Sequence, residues 1–250
     1  MDTSGKLLQL FFIAFLCCLS SIFSTRAIAY QAFPPMLAPS LDAGIMIGYT
    51  GGSRRGVIVN PATSGSETNQ GSQDSSEIGG QIRLLFGSEY NYRPFIYLNG
   101  AKPIGAPISI LLGRILPPFT NATKLTLTSN WLARLGLGAA TPWFYDTFQL
   151  DIGAAAVVMN QTLETYIGEA VTHTFNQNKT SVRPSLMGSV TWSLCEKCIR
   201  CHELLLTAQI NVDSNPEINA SVPSGIGPLN TRVEQAWVPR GDIILSVGLG

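Results

Sequence analysis

The densest group of reactive side chains is a short run of cysteines that ends in a histidine. Cys195, Cys198 and Cys201 recur with two residues between them, and His202 follows directly. The segment CIRCH matches the C-x-x-C-H pattern of covalent c-type haem attachment, in which Cys198 and Cys201 would bind the porphyrin and His202 the iron. Three thiolates and an imidazole are also ligands that Zn²⁺ accepts. In an oxidising compartment the same thiols form disulfides, and a redox-active dithiol is a further alternative.

The surroundings of this cluster favour a disulfide over either cofactor. The cluster lies in a predicted tight turn, whereas a haem needs an apolar pocket and usually a second axial ligand. The other histidine, His173, falls in a long polar connection on the predicted opposite rim. We therefore expect no cofactor and no bound metal, and a disulfide among Cys195, Cys198 and Cys201 whose pairing stays open.

His173 also raises the alternative of a surface hydrolase, with Glu164 or Glu169 orienting the imidazole. Such a site needs a nucleophile, a base and an orienting group that converge in space. Proximity along one loop does not establish that convergence, so we expect a solvated histidine and no enzymatic activity. The sequence contains neither a glycine-rich phosphate loop nor an HExxH motif.

Composition excludes several classes of protein. Only 13% of the 250 residues are charged, the formal net charge is zero, and 45% of the residues are hydrophobic. Disordered chains are less apolar, and proteins that bind nucleic acid by electrostatics carry a basic excess. An ordinary cytosolic enzyme needs a more highly charged surface. A secreted β-protein or a protein embedded in lipid remains.

The N-terminal segment indicates export. Residues 1–29 combine a single early cation, Lys6, with an apolar run to about Phe23 and the small-x-small sequence Ala27-Ile28-Ala29. We interpret this segment as a cleaved secretory signal, which leaves residues 30–250 as the mature domain.

Eight segments of the mature domain alternate between apolar and polar residues, which is the period of a β-strand with two different faces. Short turns are predicted near 88–93, 140–147 and 195–202, and long polar connections at 51–77, 101–127, 159–181 and 214–240. Strands of about ten residues are long enough to cross a bilayer when tilted. The eight predicted strands cover residues 41–50, 81–87, 94–100, 130–138, 148–158, 183–194, 203–212 and 242–250.

The content of the two faces predicts lipid outside and polar groups inside. One face carries mainly Leu, Ile, Val, Ala, Phe and Trp, and the other carries Gly, Ser, Thr, Gln, Asn and isolated charges. A lipocalin would have the opposite arrangement, and a soluble sandwich would need charged outer faces. Aromatic residues near both predicted rims suit interface belts: Tyr90, Tyr92, Trp143, Phe144 and Tyr145 at the turns, and Tyr49 and Trp131 opposite. The charges expected to pair across the lumen are Asp42, Arg83, Arg134, Asp151, Arg183 and Glu203.

The signal segment, eight alternating strands, three short turns and four long connections resemble the small outer-membrane barrels of Gram-negative bacteria, the OmpA/OmpX-like and porin-family surface proteins. The resemblance covers the whole mature domain. It implies an all-β, eight-stranded antiparallel up-and-down transmembrane β-barrel, with short periplasmic turns and long extracellular loops. It also implies a last strand that ends in an aromatic residue, whereas this sequence ends in LSVGLG.

A barrel of this kind predicts a non-enzymatic surface protein of the bacterial outer membrane. The expected roles are envelope structure, adhesion or host contact, with at most a small pore. The expected partners are outer-membrane lipid and, through the loops, host or envelope components, without nucleic acid. The alternatives are a porin-like transport channel and a soluble secreted β-protein.

Overall fold

The computed structural model describes residues 39–60, 65–114, 122–167, 173–199, 202–222 and 229–249, and every regular element among them is a β-strand. Within these ranges no helix is long and apolar enough to cross a bilayer. The predicted signal segment lies outside the described residues. The strands are β1 (Pro39–Asn60), β2 (Gly65–Phe86), β3 (Arg93–Gly105), β4 (Ile108–Arg114), β5 (Ala122–Ala140), β6 (Phe148–Ile167), β7 (His173–Ile199), β8 (His202–Asn215), β9 (Ile218–Val222), β10 (Leu229–Val233) and β11 (Ala236–Leu249).

Eight of these strands close into an antiparallel barrel. The neighbours run β1-β2-β3-β5-β6-β7-β8-β11, and β11 returns to pair with β1 over Leu41–Thr50 and Arg240–Leu249. Closure leaves these strands without a free edge, which is the condition for a sheet to sit in hydrocarbon. The predicted eight-stranded, all-β antiparallel barrel is confirmed.

The barrel strands place apolar side chains outside and polar side chains inside, as their period-two pattern predicts. On β1, Ile45 and Ile47 are each 61% exposed, whereas Asp42 and Thr50 are buried in the lumen. On β5, Leu135 and Leu137 point outwards and Arg134 points inwards with no exposed surface. The exposed apolar residues are therefore the wall of the barrel and not a misplaced core.

The prediction of long polar loops is wrong for much of the chain. β1 and β2 form a continuous hairpin in which Asn60 still pairs with Gly65, and β5, β6 and β7 also run well beyond the predicted strand ends. Three additional strands, β4, β9 and β10, occupy segments predicted as connections. The polar composition of these segments hid the strands, because their outer faces are exposed to water and carry Ser, Thr, Asn and Gln.

The strand extensions build a second structural layer above the barrel, which we call the cap: residues 51–74 of β1 and β2, β4, residues 122–130 of β5, residues 160–167 of β6, residues 173–182 of β7, and β9 and β10. Two sets of strands face each other in the cap. β2, β1, β10 and β9 are paired in that order, and β4, β5, β6 and β7 form the second set. The close approach depends on Gly71, where a Cβ atom would lie 2.6 Å from the carbonyl oxygen of Ser109.

An apolar core fills the space between the two sets of cap strands. Its members come from β1, β9 and β10 on one side and from β4, β5 and β6 on the other. This arrangement is that of a small water-soluble β-sandwich, in which the inner faces supply the core. The buried residues of this core are Ile58, Ile108, Ile110, Leu112, Leu125, Leu127, Leu163, Ile218, Leu229 and Val233.

A β-bulge on β5 joins the two regions. The pairing with β6 shifts by one residue between Ser129 and Trp131. Below the bulge the even-numbered residues, such as Arg134, face the lumen, and above it the odd-numbered Leu125 and Leu127 face the cap core. An extra residue in one strand has this effect on side-chain direction.

Candidate functional site

The lumen near the short turns is filled by one arginine between two carboxylates. Arg83 on β2 makes ion pairs with Asp42 on β1 at 2.7 Å and with Asp151 on β6 at 2.5 Å. The Asp151 carboxylate also accepts a 2.8 Å hydrogen bond from Ser189. The Arg83 guanidinium lies 5.7 Å from the centre of the Phe95 ring. Because buried charges are tolerated only when paired and hydrogen-bonded, this cluster cross-links three strands of the barrel.

A second charged cluster lies further along the lumen, towards the cap. Arg134 Nε donates to Asp213 at 2.9 Å, and Arg240 Nε lies 2.8 Å from the same carboxylate. Arg240 also pairs with Glu77, which accepts a hydrogen bond from Thr50. The four charged side chains come from β2, β5, β8 and β11, so the cluster links strands on opposite sides of the barrel.

Uncharged side chains occupy the space around these clusters. Phe95 and Tyr97 on β3 point into the lumen and pack with Leu85 and Met187. A side chain at Gly136 would occupy the position of the Tyr97 ring, so the glycine makes room for the aromatic residue. A second apolar group in the interior consists of Met46, Ala101, Leu132, Val157, Met159 and Ile244.

The predicted lumen charges are distributed over different environments. The structure brings Asp42, Arg83 and Asp151 together, and it places Arg134 in the second cluster. Arg183 lies on β7 one residue below the cap, where its guanidinium donates a 3.5 Å hydrogen bond to the Gln235 side chain on the exposed surface. Glu203 is half-buried near the short-turn rim.

The sequence analysis missed three members of the charged clusters, because two fell in predicted connections and the third, Asp213, lay one residue beyond a predicted strand. They are Glu77, Asp213 and Arg240. Each continues the alternation of its strand: Glu77 precedes Gln81 by four residues, Asp213 follows Asn211 by two, and Arg240 precedes Asp242 by two. Extending each polar face beyond the apolar segment would have found them.

Arg54 is a buried cation at the junction of the barrel and the cap. Its guanidinium donates to the carbonyl oxygens of Pro216 at 2.8 Å and Glu234 at 2.8 Å. Burial and the nearby Arg240 charge lower the pKa of Arg54 to about 10. Pro216 and Glu234 lie in the links that connect β9 and β10 to the barrel, so Arg54 fixes this hairpin against β1.

The cysteine cluster is only partly described. Cys195 on β7 is disulfide-bonded. The side chains of Cys198, Cys201 and His202, on which the haem and zinc alternatives depend, lie outside the described residues, as does the side chain of His173. In the described part of the chain no group of three or more His, Cys, Asp or Glu side chains is arranged to hold a metal ion.

The outer surface of the barrel carries a continuous apolar band bordered by aromatic residues. On β6 the band runs from Leu150 to Val158, about the nine to eleven residues of a membrane-spanning strand. Exposed aromatics at the short-turn rim include Tyr90, Tyr92, Phe144 and Tyr145, and those at the cap rim include Tyr49, Trp131 and Trp237. Aromatic residues at both boundaries are typical of barrels in a bilayer.

No family model matches this sequence, and no curated protein matches it. Among solved structures it is similar to the outer-membrane protein OprG from Pseudomonas aeruginosa, with 10% identity, a TM-score of 0.46, and coverage of 84% of this chain and 94% of that chain. The outer-membrane protease OmpT from Escherichia coli shows 8% identity, a TM-score of 0.42 and coverage of 84% and 95%. The surface protein NspA from Neisseria shows 10% identity, a TM-score of 0.36 and coverage of 84% and 96%.

The membrane assignment follows from features of the chain itself. The closed strand order satisfies the backbone, the outer wall is apolar, and the lumen holds the charges. Together these features identify the chain as an eight-stranded β-barrel of the outer-membrane type.

Proposed function

We propose that this protein is a non-enzymatic surface protein of the bacterial outer membrane, with a closed lumen and a cap that makes its contacts outside the membrane. The observation that carries the proposal is the filling of the lumen by two charged clusters with the apolar cap core above them. Small eight-stranded barrels have an interior that side chains can fill completely.

The ion pairs argue for a barrel that does not conduct. A solute crossing the lumen would have to separate Arg83 from two carboxylates and Arg134 from Asp213. Breaking one buried ion pair costs about 3–5 kcal/mol, so opening a continuous path carries a high energetic cost. A solute would then meet the apolar core of the cap.

The same contacts argue against catalysis inside the lumen. Asp42, Asp151 and Asp213 are held by arginines in the closed interior, so they are not presented to a substrate. The exposed outer faces of the cap, rich in Ser, Thr, Asn and Gln, are the surface available to external partners. We propose envelope or host components as those partners.

Electrical recording from planar bilayers tests the closed lumen. We expect the folded wild-type protein to insert without a stable conductance. A variant with Arg83, Arg134 and Arg240 replaced by alanine serves as the matched control, because it removes the side chains that fill the lumen. Insertion of both proteins is established beforehand by protection of the barrel from protease in vesicles. A stable, reproducible wild-type conductance would refute the proposal and favour the channel alternative.

A further inference from the structure

The outer face of the barrel changes abruptly from apolar to amide and hydroxyl side chains at one level. On β6 the outward residues pass from Val158 to Asn160 and Thr162, and on β7 they pass from Val182 to Thr180 and Asn178. Asn160 is paired with Trp131 on one side and with Thr180 on the other. The change therefore occurs at the same height on three neighbouring strands, at the level of a belt tryptophan.

The polar side chains at this boundary form a directional hydrogen-bonded row, which we call the amide ladder: Asn130, Asn160, Thr162, Asn178 and Thr180. The Asn130 Nδ2 atom donates to Asn160 at 2.6 Å and to Thr162 at 2.9 Å. The Asn160 Nδ2 atom donates to Asn178 at 2.8 Å and to Thr180 at 2.8 Å. Both threonine hydroxyls act as acceptors, so their own protons remain available to point away from the sheet.

We propose that the amide ladder, together with Trp131, is a docking surface for the sugar head group of a glycolipid in the surrounding leaflet. The proposal rests on the membrane placement given above, because the ladder is continuous with the lipid-facing band and lies where head groups begin. The Asn178 amide and the two threonine hydroxyls offer neutral donors, and the Asn130 carbonyl offers an acceptor. Sugar hydroxyls and ring oxygens match such a set.

The charges near the ladder favour a sugar over a lipid phosphate. None of the five ladder residues is ionisable, and phosphate recognition relies mainly on Arg or Lys. Two lysines on the strands of the ladder are engaged elsewhere: Lys179 donates to the Glu217 carbonyl at 2.8 Å, and Lys124 lies 5.9 Å from the centre of the Tyr166 ring. Trp131, which is 42% exposed, adds a flat apolar face on which a sugar ring can stack.

The size of the ladder limits the head group that it fits. Asn130, Asn160 and Asn178 lie on three adjacent strands, so the row spans two strand spacings, or about 10 Å. That width accommodates a small oligosaccharide head group lying along the surface, and it exceeds what a single hydroxyl group needs.

The test measures retention of a neutral glycolipid, digalactosyl diacylglycerol, by the full-length protein in phosphatidylcholine vesicles. Retention is compared between the wild type, the N160A/N178A double variant and N230A, which removes an exposed asparagine of β10 in the cap. N178A removes the amide that is offered to the sugar, and N160A removes the side chain that donates to Asn178. Loss of two hydrogen bonds of ordinary strength to the sugar predicts about tenfold weaker retention of the glycolipid by the double variant. We expect N230A to retain the glycolipid like the wild type.

Two further arms identify the group that is recognised. Phosphatidylglycerol in place of the glycolipid tests for phosphate binding, and free digalactose tests whether the sugar needs the membrane anchor. Preference for phosphatidylglycerol, or equal retention by the wild type and the double variant, would overturn the proposal. If the protein inserts without conductance and does not retain the glycolipid, only the glycolipid inference is refuted. If the protein conducts, the proposed function is refuted.

Discussion

The barrel and the cap are built from the same strands, but their apolar side chains face in opposite directions. In the barrel, Ile45 and Ile47 of β1 point outwards, while Asp42 on the same strand is buried. In the cap, Ile58 of β1 is fully buried, and its neighbours on β4 and β5 supply an apolar core. One strand thus passes from a region that is apolar outside to a region that is apolar inside.

The comparison shows that burial and hydrophobicity are separate properties in this chain. The lumen is dense with arginines and carboxylates, because Arg83 and Arg134 are each paired with a buried carboxylate and the external medium is hydrocarbon. The cap core follows the ordinary rule for water-soluble proteins, in which burial of apolar area is the main driving force. The level of Trp131 marks the change from one rule to the other.

The largest expected effect comes from breaking the lower charged cluster. The R83M substitution leaves Asp42 and Asp151 without their shared cation in a closed interior. We expect a loss of about 3–5 kcal/mol in the free energy of unfolding. Urea titration in detergent micelles, followed by the gel mobility of folded and unfolded protein, measures this loss. The matched control adds D42N and D151N, which should recover most of the stability, and a triple variant no more stable than R83M would contradict the interpretation.

The second prediction concerns the cap. Leu125 is fully buried in the cap core, whereas Leu111 on β4 is 61% exposed. We expect L125A to destabilise the cap by about 2–5 kcal/mol through lost burial and a residual cavity. L111A should change stability by less than about 0.5 kcal/mol, as exposed substitutions do. Limited proteolysis of the protein in vesicles measures cap opening separately from barrel unfolding. Equal protease sensitivity of the two variants would show that the apolar cluster does not hold the cap together.

The third prediction compares the substitution of arginine for two exposed leucines, one on the barrel and one on the cap. Leu135 on the barrel wall and Leu111 on the cap have nearly equal exposure, at 60% and 61%. We expect L135R to lower the stability of the lipid-embedded protein by about 2–4 kcal/mol, the cost of a cation facing the bilayer centre. L111R should be nearly neutral, because its surroundings are aqueous. Unfolding in phospholipid vesicles gives both values, and similar losses at the two positions would place the water boundary elsewhere.

The sequence predicted the barrel better than it predicted the cap. Alternation is clear at residues 41–50 and 148–158 because the two faces of the barrel wall differ strongly in polarity. The sequence therefore predicts both the strands and the face to which each side chain points. In the cap, segments such as residues 65–74 carry small polar side chains on either face, and a polar strand then has the composition of a loop. Ile108, Ile110 and Leu112 do alternate with other residues, but the apolar Leu111 lies on the opposite face and weakens the contrast between the two faces. Pro103 and Pro107 precede the segment and indicate a loop.

The charged interior was only partly predictable for a different reason. Periodicity shows which residues face the lumen, but it does not show which of them meet across it. Arg134 meets Asp213 from a strand that is not its neighbour, and Arg240 meets Glu77 through the closure of the barrel. Such partners depend on strand stagger, which the pattern along one strand does not contain.

The bulge between Ser129 and Trp131 has a consequence for how the sequence tolerates insertions and deletions. The extra residue reverses which residues of β5 face inward. Odd-numbered residues before the bulge face the cap core, and even-numbered residues after it face the lumen. Deleting Asn130 would remove the extra residue and leave a regular strand in which Leu125 still faces the cap core and Arg134 still faces the lumen. Deleting a residue elsewhere on β5 would instead turn the side chains on one side of the deletion to the opposite face. The bulge is therefore the position on β5 at which the loss of one residue is best tolerated.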